Sequence, residues 1–135
     1  RLIGLDVYVN GSFLNAYEGD GIIISTPTGS TGYNLSAGGP IVDPMARLMI
    51  ITPVCPHSLT SKSIVLPSDA KVSIEIAKKR KTQDTEAIVS FDGGNDFELA
   101  AGDVLDICVS QRTTQLVKAS DVNFYEILRN KLGGK

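Results

Sequence analysis

Residues 19–44 read GDGIIISTPTGSTGYNLSAGGPIVDP, and the architecture of the chain turns on how this stretch is parsed. Gly21 to Thr26 is a short β-branched run with the composition of a strand, and Pro27 ends it. The residues up to Pro40 are crowded with Gly, Ser and Thr. They imply a short helix that starts after Gly29 and is stopped by Gly38-Gly39-Pro40. A strand that leads into so short a helix does not supply the long crossover of a parallel βαβ unit. Neither a GxxxxGKS/T phosphate loop nor a GxGxxG fingerprint is present. What remains is a strand that ends in a polar loop. Gly29 lets backbone approach a ligand, while Ser30 and Thr31 are expected to offer hydroxyls and free amide donors at the helix entrance. Such a turn suits a ribose, an adenine edge or a phosphate, and it also occurs as a purely structural turn.

Outward from this stretch the pattern is that of short strands. Ile3, Leu5, Val7 and Val9 alternate with Gly4, Asp6, Tyr8 and Asn10; Asn10-Gly11 then supplies the positive-φ pair of a tight hairpin before Phe13 to Glu18 returns. Downstream, Arg47 to Val54, Ser63 to Leu66, Lys71 to Ala77, Ala87 to Phe91, Phe97 to Ala100, Val104 to Ser110 and Gln115 to Lys118 read as strands. Turn residues at Pro67-Ser68-Asp69, Asp92-Gly93-Gly94-Asn95 and Gly102-Asp103 punctuate them. A terminal helix is expected from Asn123 to Leu132, with Phe124, Ile127, Leu128 and Leu132 on one face, Asn123 as its cap and Gly133 as its stop. The expected fold is mainly β: an antiparallel, sandwich-like domain with a short helix after the TPTGST turn and a C-terminal helix.

The chain has 135 residues, 42% of them hydrophobic and 21% charged, which is enough for one domain with its own core. Its net charge of −2 argues against nucleic acid or an anionic membrane as partner, since both are held by an excess of Lys and Arg. Lys78 to Lys81 is a dense basic run beside Gln83, Asp84 and Glu86, and it reads as a solvated hairpin tip. Cys55 and Cys108 stand outside any metal-ligand spacing and are expected as buried free thiols; His57, without a second ligand or an acid partner in sequence, reads as structural or pocket-lining. No metal site is expected. With no cationic leader and no apolar run near the roughly 20 residues of a membrane span, a cytoplasmic location is expected. The chain opens on Arg1 rather than Met and looks like a piece of a longer protein.

The string from Asp20 to Pro44 resembles the signature of the NAD kinase family, which usually runs DG, a few apolar residues, then STPTGSTAYSLSAGGPI. The resemblance continues through the opening hairpin from Arg1 to Tyr17, the TPVCPHSL segment with Pro67 beyond it, the strand that ends at Asp92-Gly93, and the closing helix. It identifies the chain as the carboxy-terminal, NAD-binding and oligomerisation domain of such a kinase.

In that family the terminal phosphoryl group of ATP, or of polyphosphate, passes with Mg²⁺ or another divalent metal to the 2′-hydroxyl of the adenosine ribose of NAD, giving NADP. The resemblance implies NAD contacts at Thr31, Gly32, Tyr33, Asn34, Leu35 and Ser36, with Thr28 beside them. It implies a nicotinamide-end contact at Asp20, which in oligomers can serve a neighbouring subunit. It also implies a dinucleotide contact at Arg1 and a further candidate at Asp92. Gly32 and Asn34 replace the commoner Ala and Ser, and Gly94 stands where many members carry Gln. The family's GGDGT motif and Asn-Glu pair, which supply the base and the donor-phosphate cradle, do not occur here, so no catalytic residue is assigned. The metal and donor belong to an absent amino-terminal domain, and this segment alone is expected to be inactive. Homodimers or homotetramers are implied. A lipid kinase of the diacylglycerol or sphingosine type and a non-enzymatic interaction module are the competing readings.

Overall fold

The computed structural model describes residues 2–78, 87–92, 94–115 and 121–133. In chain order it contains β1 (Ile3–Val9), β2 (Ser12–Gly19), β3 (Gly21–Ser25), a 3-10 turn (Thr28–Thr31), α1 (Tyr33–Ser36), β4 (Leu48–Val54) and β5 (Ile64–Pro67). These are followed by β6 (Val72–Ile76), β7 (Ala87–Ser90), β8 (Asp96–Leu99), β9 (Val104–Ile107) and α2 (Phe124–Lys131). All the strand pairings are antiparallel, as expected.

Two sheets make the body: β2-β1-β6-β9 and β3-β4-β5, with β7-β8 as a separate hairpin. In the first sheet Leu5, Val7 and Val9 lie opposite Ile76, Ile74 and Val72, so one apolar row of each strand faces the same side. In the second, Ile24 lies opposite Ile51 and Met49 opposite Leu66. Those inner faces meet in one core of Leu5, Val7, Tyr17, Met49, Ile51, Val72, Ile74 and Ile76, to which Ala87 of β7 adds. The Asn10-Gly11 turn has φ of 49° and 82° at its two residues, the doubly left-handed pair that an NG hairpin requires.

Strand β4 departs from simple alternation, because it is buried on both faces from Met49 to Pro53. Met49 and Ile51 point into the sandwich, whereas Ile50 and Thr52, at 0% and 2% exposure, belong to the opposite face. The polar stretch after β3 therefore has a buried hydroxyl beneath it.

Helix α2 starts where the sequence expects: the Asn123 side chain accepts from the Glu126 amide at 2.9 Å, and Gly133 adopts φ 75° just beyond the helix. Its apolar face is only partly used, since Phe124 and Leu128 are half-buried while Ile127 and Leu132 are exposed. The cysteine expectation is overturned: both thiols are free, but Cys55 and Cys108 are exposed. Cys55 sits in the bend after β4 with φ 45°, and Cys108 lies just past the end of β9, so neither is carried into the core by its strand. Residues 79–81 of the basic run, and residues 116–118 of the last expected strand, lie outside the described residues; Gln115 itself is not in a strand. No helix among the described residues is long and apolar enough to cross a membrane.

Candidate functional site

The Gly/Ser/Thr stretch folds as the 3-10 turn Thr28–Thr31 followed by the expected short helix, α1, at Tyr33–Ser36. Pro27, with φ −53°, enters the 3-10 turn, and Gly32, at φ −87° and ψ −132°, breaks the path before α1 begins. Thr26 Oγ1 accepts from the Gly29 amide at 3.2 Å and holds the entry.

Three buried polar side chains then fix the loop. Ser30 is fully buried; its hydroxyl donates to Pro27 O at 2.7 Å and accepts from the Val42 amide at 3.0 Å. Asn34 is 1% exposed, and its Nδ2 donates to Ser30 O at 3.0 Å and to Pro40 O at 2.9 Å. Thr52 Oγ1 donates to Asn34 Oδ1 at 2.6 Å and meets Ser63 Oγ at 3.0 Å. Since the single Thr52 proton is given to Asn34, Ser63 is the donor in the last contact. Both protons of Nδ2 point at carbonyl oxygens, which fixes the amide orientation.

This network corrects one expectation. Ser30 was expected to offer its hydroxyl and amide at the helix entrance, but the hydroxyl is turned inward and the amide donates to Pro27 O at 3.2 Å. With Ser30 and Asn34 consumed, the surface is left to their neighbours: Thr31 is half-buried, whereas Thr28, Gly32, Tyr33, Leu35 and Ser36 are exposed, Tyr33 to 68%. Ser25 Oγ, at the end of β3, is buried with no hydrogen-bond partner among the described residues.

A mainly apolar cleft of about 230 Å³ opens beside this surface, with Pro27, Thr28, Thr31 and Pro44 on one wall and Phe124, Ile127, Leu128 and Lys131 of α2 on the other. The Tyr125 hydroxyl donates to Asp43 and ties α2 to the segment after the loop. That bond holds the Asp43 carboxyl below the ordinary carboxylate range, helped by the Met45 amide, and it raises the Tyr125 phenol. Sequence reasoning missed the α2 wall, because only the fold brings residues about 100 positions apart together.

The remaining sequence-derived residues lie elsewhere. Asp20 is exposed at the start of β3, so the five-residue strand Gly21–Ser25 separates it from the loop by roughly 16 Å at about 3.3 Å per residue. Asp92 is exposed with φ 51° in the turn between β7 and β8. Arg1 lies outside the described residues. His57 is exposed and lines a separate, more polar cleft of about 490 Å³ with Asn15, Glu18, Ser58 and Lys62. No three His, Cys, Asp or Glu side chains converge on a metal-binding point among the described residues.

The family model of the ATP-NAD kinase C-terminal domain matches residues 1–119. An NAD kinase of Lachnoclostridium phytofermentans is 50% identical over 135 residues, which is 100% of this chain and 47% of that protein. An NAD kinase of Agathobacter rectalis is 51% identical over 133 residues, 98% of this chain and 47% of the relative. Among solved structures, yeast NADH kinase complexed with NADH superposes with a TM-score of 0.82 at 30% identity, covering 98% of this chain and 40% of the yeast chain. An NAD kinase from Archaeoglobus fulgidus in complex with ATP gives 0.71 at 31% identity, covering 82% and 41%. The chain therefore spans about half the length of the relatives it matches.

Proposed function

From the premise that this chain belongs to the NAD kinase family as its C-terminal domain, we propose that it binds the NAD of a parent enzyme that phosphorylates the adenosine ribose 2′-hydroxyl to give NADP. The observation that carries the reading is the loop after β3, held by the buried hydrogen bonds of Ser30, Asn34 and Thr52. Its buried side chains hold the backbone, while Thr28 and Thr31 line the cleft against α2 and Tyr33, Leu35 and Ser36 are exposed. Thr28 and Thr31 hydroxyls can donate to or accept from adenine and ribose, and the exposed Tyr33 ring offers a flat face and a hydroxyl. Gly32, without a side chain, leaves the loop open to a ligand. Asn34 serves the same site from below.

Asp20 takes a different place in the proposal. From the far end of β3 it cannot touch a group held at Thr31, so it meets the nicotinamide end of a dinucleotide or the site of a second copy in a homodimer or homotetramer. Its carboxylate can accept from the carboxamide NH₂. Arg1 and Asp92 are proposed as further dinucleotide contacts on the family resemblance alone.

The donor, ATP or polyphosphate, and its divalent metal are assigned to the rest of the parent protein. The donor set here fits no resident metal, because acidic and imidazole groups do not converge among the described residues. When bound, the metal would neutralise charge on the transferring phosphoryl group. This chain's part is to bind and orient the acceptor, in a cytoplasmic enzyme with neither nucleic acid nor membrane as partner.

Purified parent enzyme supplied with NAD, ATP and Mg²⁺ is expected to form NADP, while residues 1–135 alone form none. NADP made by the isolated segment would overturn the assignment of the donor site to the rest of the protein.

A further inference from the structure

A chain of hydrogen bonds runs from Ser63 through Thr52 and Asn34 to the loop backbone. Thr52 is a lone hydroxyl on a strand otherwise built from Leu48, Met49, Ile50, Ile51, Pro53 and Val54, and it is 2% exposed. Its proton goes to Asn34 Oδ1 at 2.6 Å, and Asn34 in turn spans the loop by binding Ser30 O and Pro40 O. The Gly39 amide donates to Asn34 O at 2.8 Å. Gly39 has no room for a side chain: a Cβ there would stand 2.2 Å from Asn34 Oδ1. The carboxamide is thus clamped between Gly39 and Thr52, one residue from Tyr33 and three from Thr31.

We propose that Thr52 is a positioning residue for the dinucleotide site: acting through Asn34, it sets the loop conformation in which Thr31 and Tyr33 face the ligand. The proposal rests on the assignment of NAD to this loop. Removing the Thr52 hydroxyl leaves Asn34 Oδ1 buried without a donor, a state that relaxes by moving the loop rather than the sheet, because β4 is held by β3 and β5 on either side. The consequence falls on acceptor binding, not on the donor.

The test uses the parent enzyme with Thr52→Val, which keeps the shape and removes the hydroxyl, and Thr52→Ser, which restores it. Thr52→Val is expected to raise KM for NAD about tenfold and leave KM for ATP unchanged, while Thr52→Ser stays within about twofold of the unsubstituted enzyme. An unchanged KM for NAD in folded Thr52→Val overturns the proposal, as does a loss confined to kcat and thermal stability, which a purely structural hydroxyl would give. Should Thr52→Val fail to fold, Ser63→Ala carries the test one link further out: KM for NAD rises by about threefold with KM for ATP unchanged, and no rise overturns it. If the unsubstituted parent does not phosphorylate NAD at all, the functional reading itself has failed, an outcome distinct from an active enzyme indifferent to Thr52.

Discussion

Asn34 illustrates what the residue scale contributes. A carboxamide can donate twice and accept twice in a fixed plane, and Asn34 uses both donors and one acceptor position within the loop and its supporting strand. The arrangement makes Gly39 as necessary as Asn34. Gly39→Ala is expected to destabilise the parent by about 1–3 kcal/mol, because the new methyl must push the carboxamide off at least one buried partner. Thermal or denaturant unfolding measures this directly, and a cost below about 0.5 kcal/mol would show that the contact is soft. The sequence placed Asn34 among the ligand-facing residues by its position in the motif. Its burial was not legible locally: two of its partners are backbone carbonyls of the loop, and the third is a hydroxyl 18 residues away on another strand. The one available signal was Thr52 itself, a hydroxyl in an otherwise apolar strand. Ser30 was misjudged for a different reason: a serine at a turn looks identical from sequence whether its hydroxyl points out or in, and here it bonds inward to Pro27 O and the Val42 amide.

At the scale of elements, the short-range chemistry was legible and the ends were less so. Asn10-Gly11 and the cap at Asn123 were readable because turns and helix starts depend on a few consecutive residues. Strand limits were not, and β9 stops at Ile107 rather than running to Ser110, as pairing with β6 ends at Val72. How α2 meets the site was invisible, because it depends on Tyr125 reaching Asp43, 82 positions away. That tether predicts a pH response. Asp43 titrates below its ordinary value when folded, so its contribution is complete above the unfolded carboxylate value and is lost as pH falls through the lowered one. Tyr125 titrates above its ordinary value, so its contribution is lost only as pH climbs through the raised value. Hydrogen exchange of the Phe124–Lys131 amides, corrected for intrinsic rates, is expected to show protection across the neutral range that declines in acid. Tyr125→Phe should lower that protection at neutral pH and abolish the acid step. Identical profiles for the two proteins would remove the tether from the account.

For the whole molecule, fold class could be read from the spacing of strands and turns, but the sheet order could not. That β1 lies between β2 and β6, and β6 between β1 and β9, is a matter of long-range pairing that alternation in any one strand does not encode. The string from Asp20 to Pro44 identified the family because the match is long and unbroken, and the fold then explained how it is supported: a buried strand carries a hydroxyl under the loop, and the closing helix walls its open side. On the proposed reading the dinucleotide sits on this loop. The most direct measurement is a calorimetric titration of NAD into the parent enzyme, alongside a Thr31→Ala/Tyr33→Ala variant whose folding is checked by circular dichroism. The account predicts saturable binding that weakens at least about tenfold in the folded variant. Equal affinity for NAD in the two proteins would contradict it and move the ligand away from this loop.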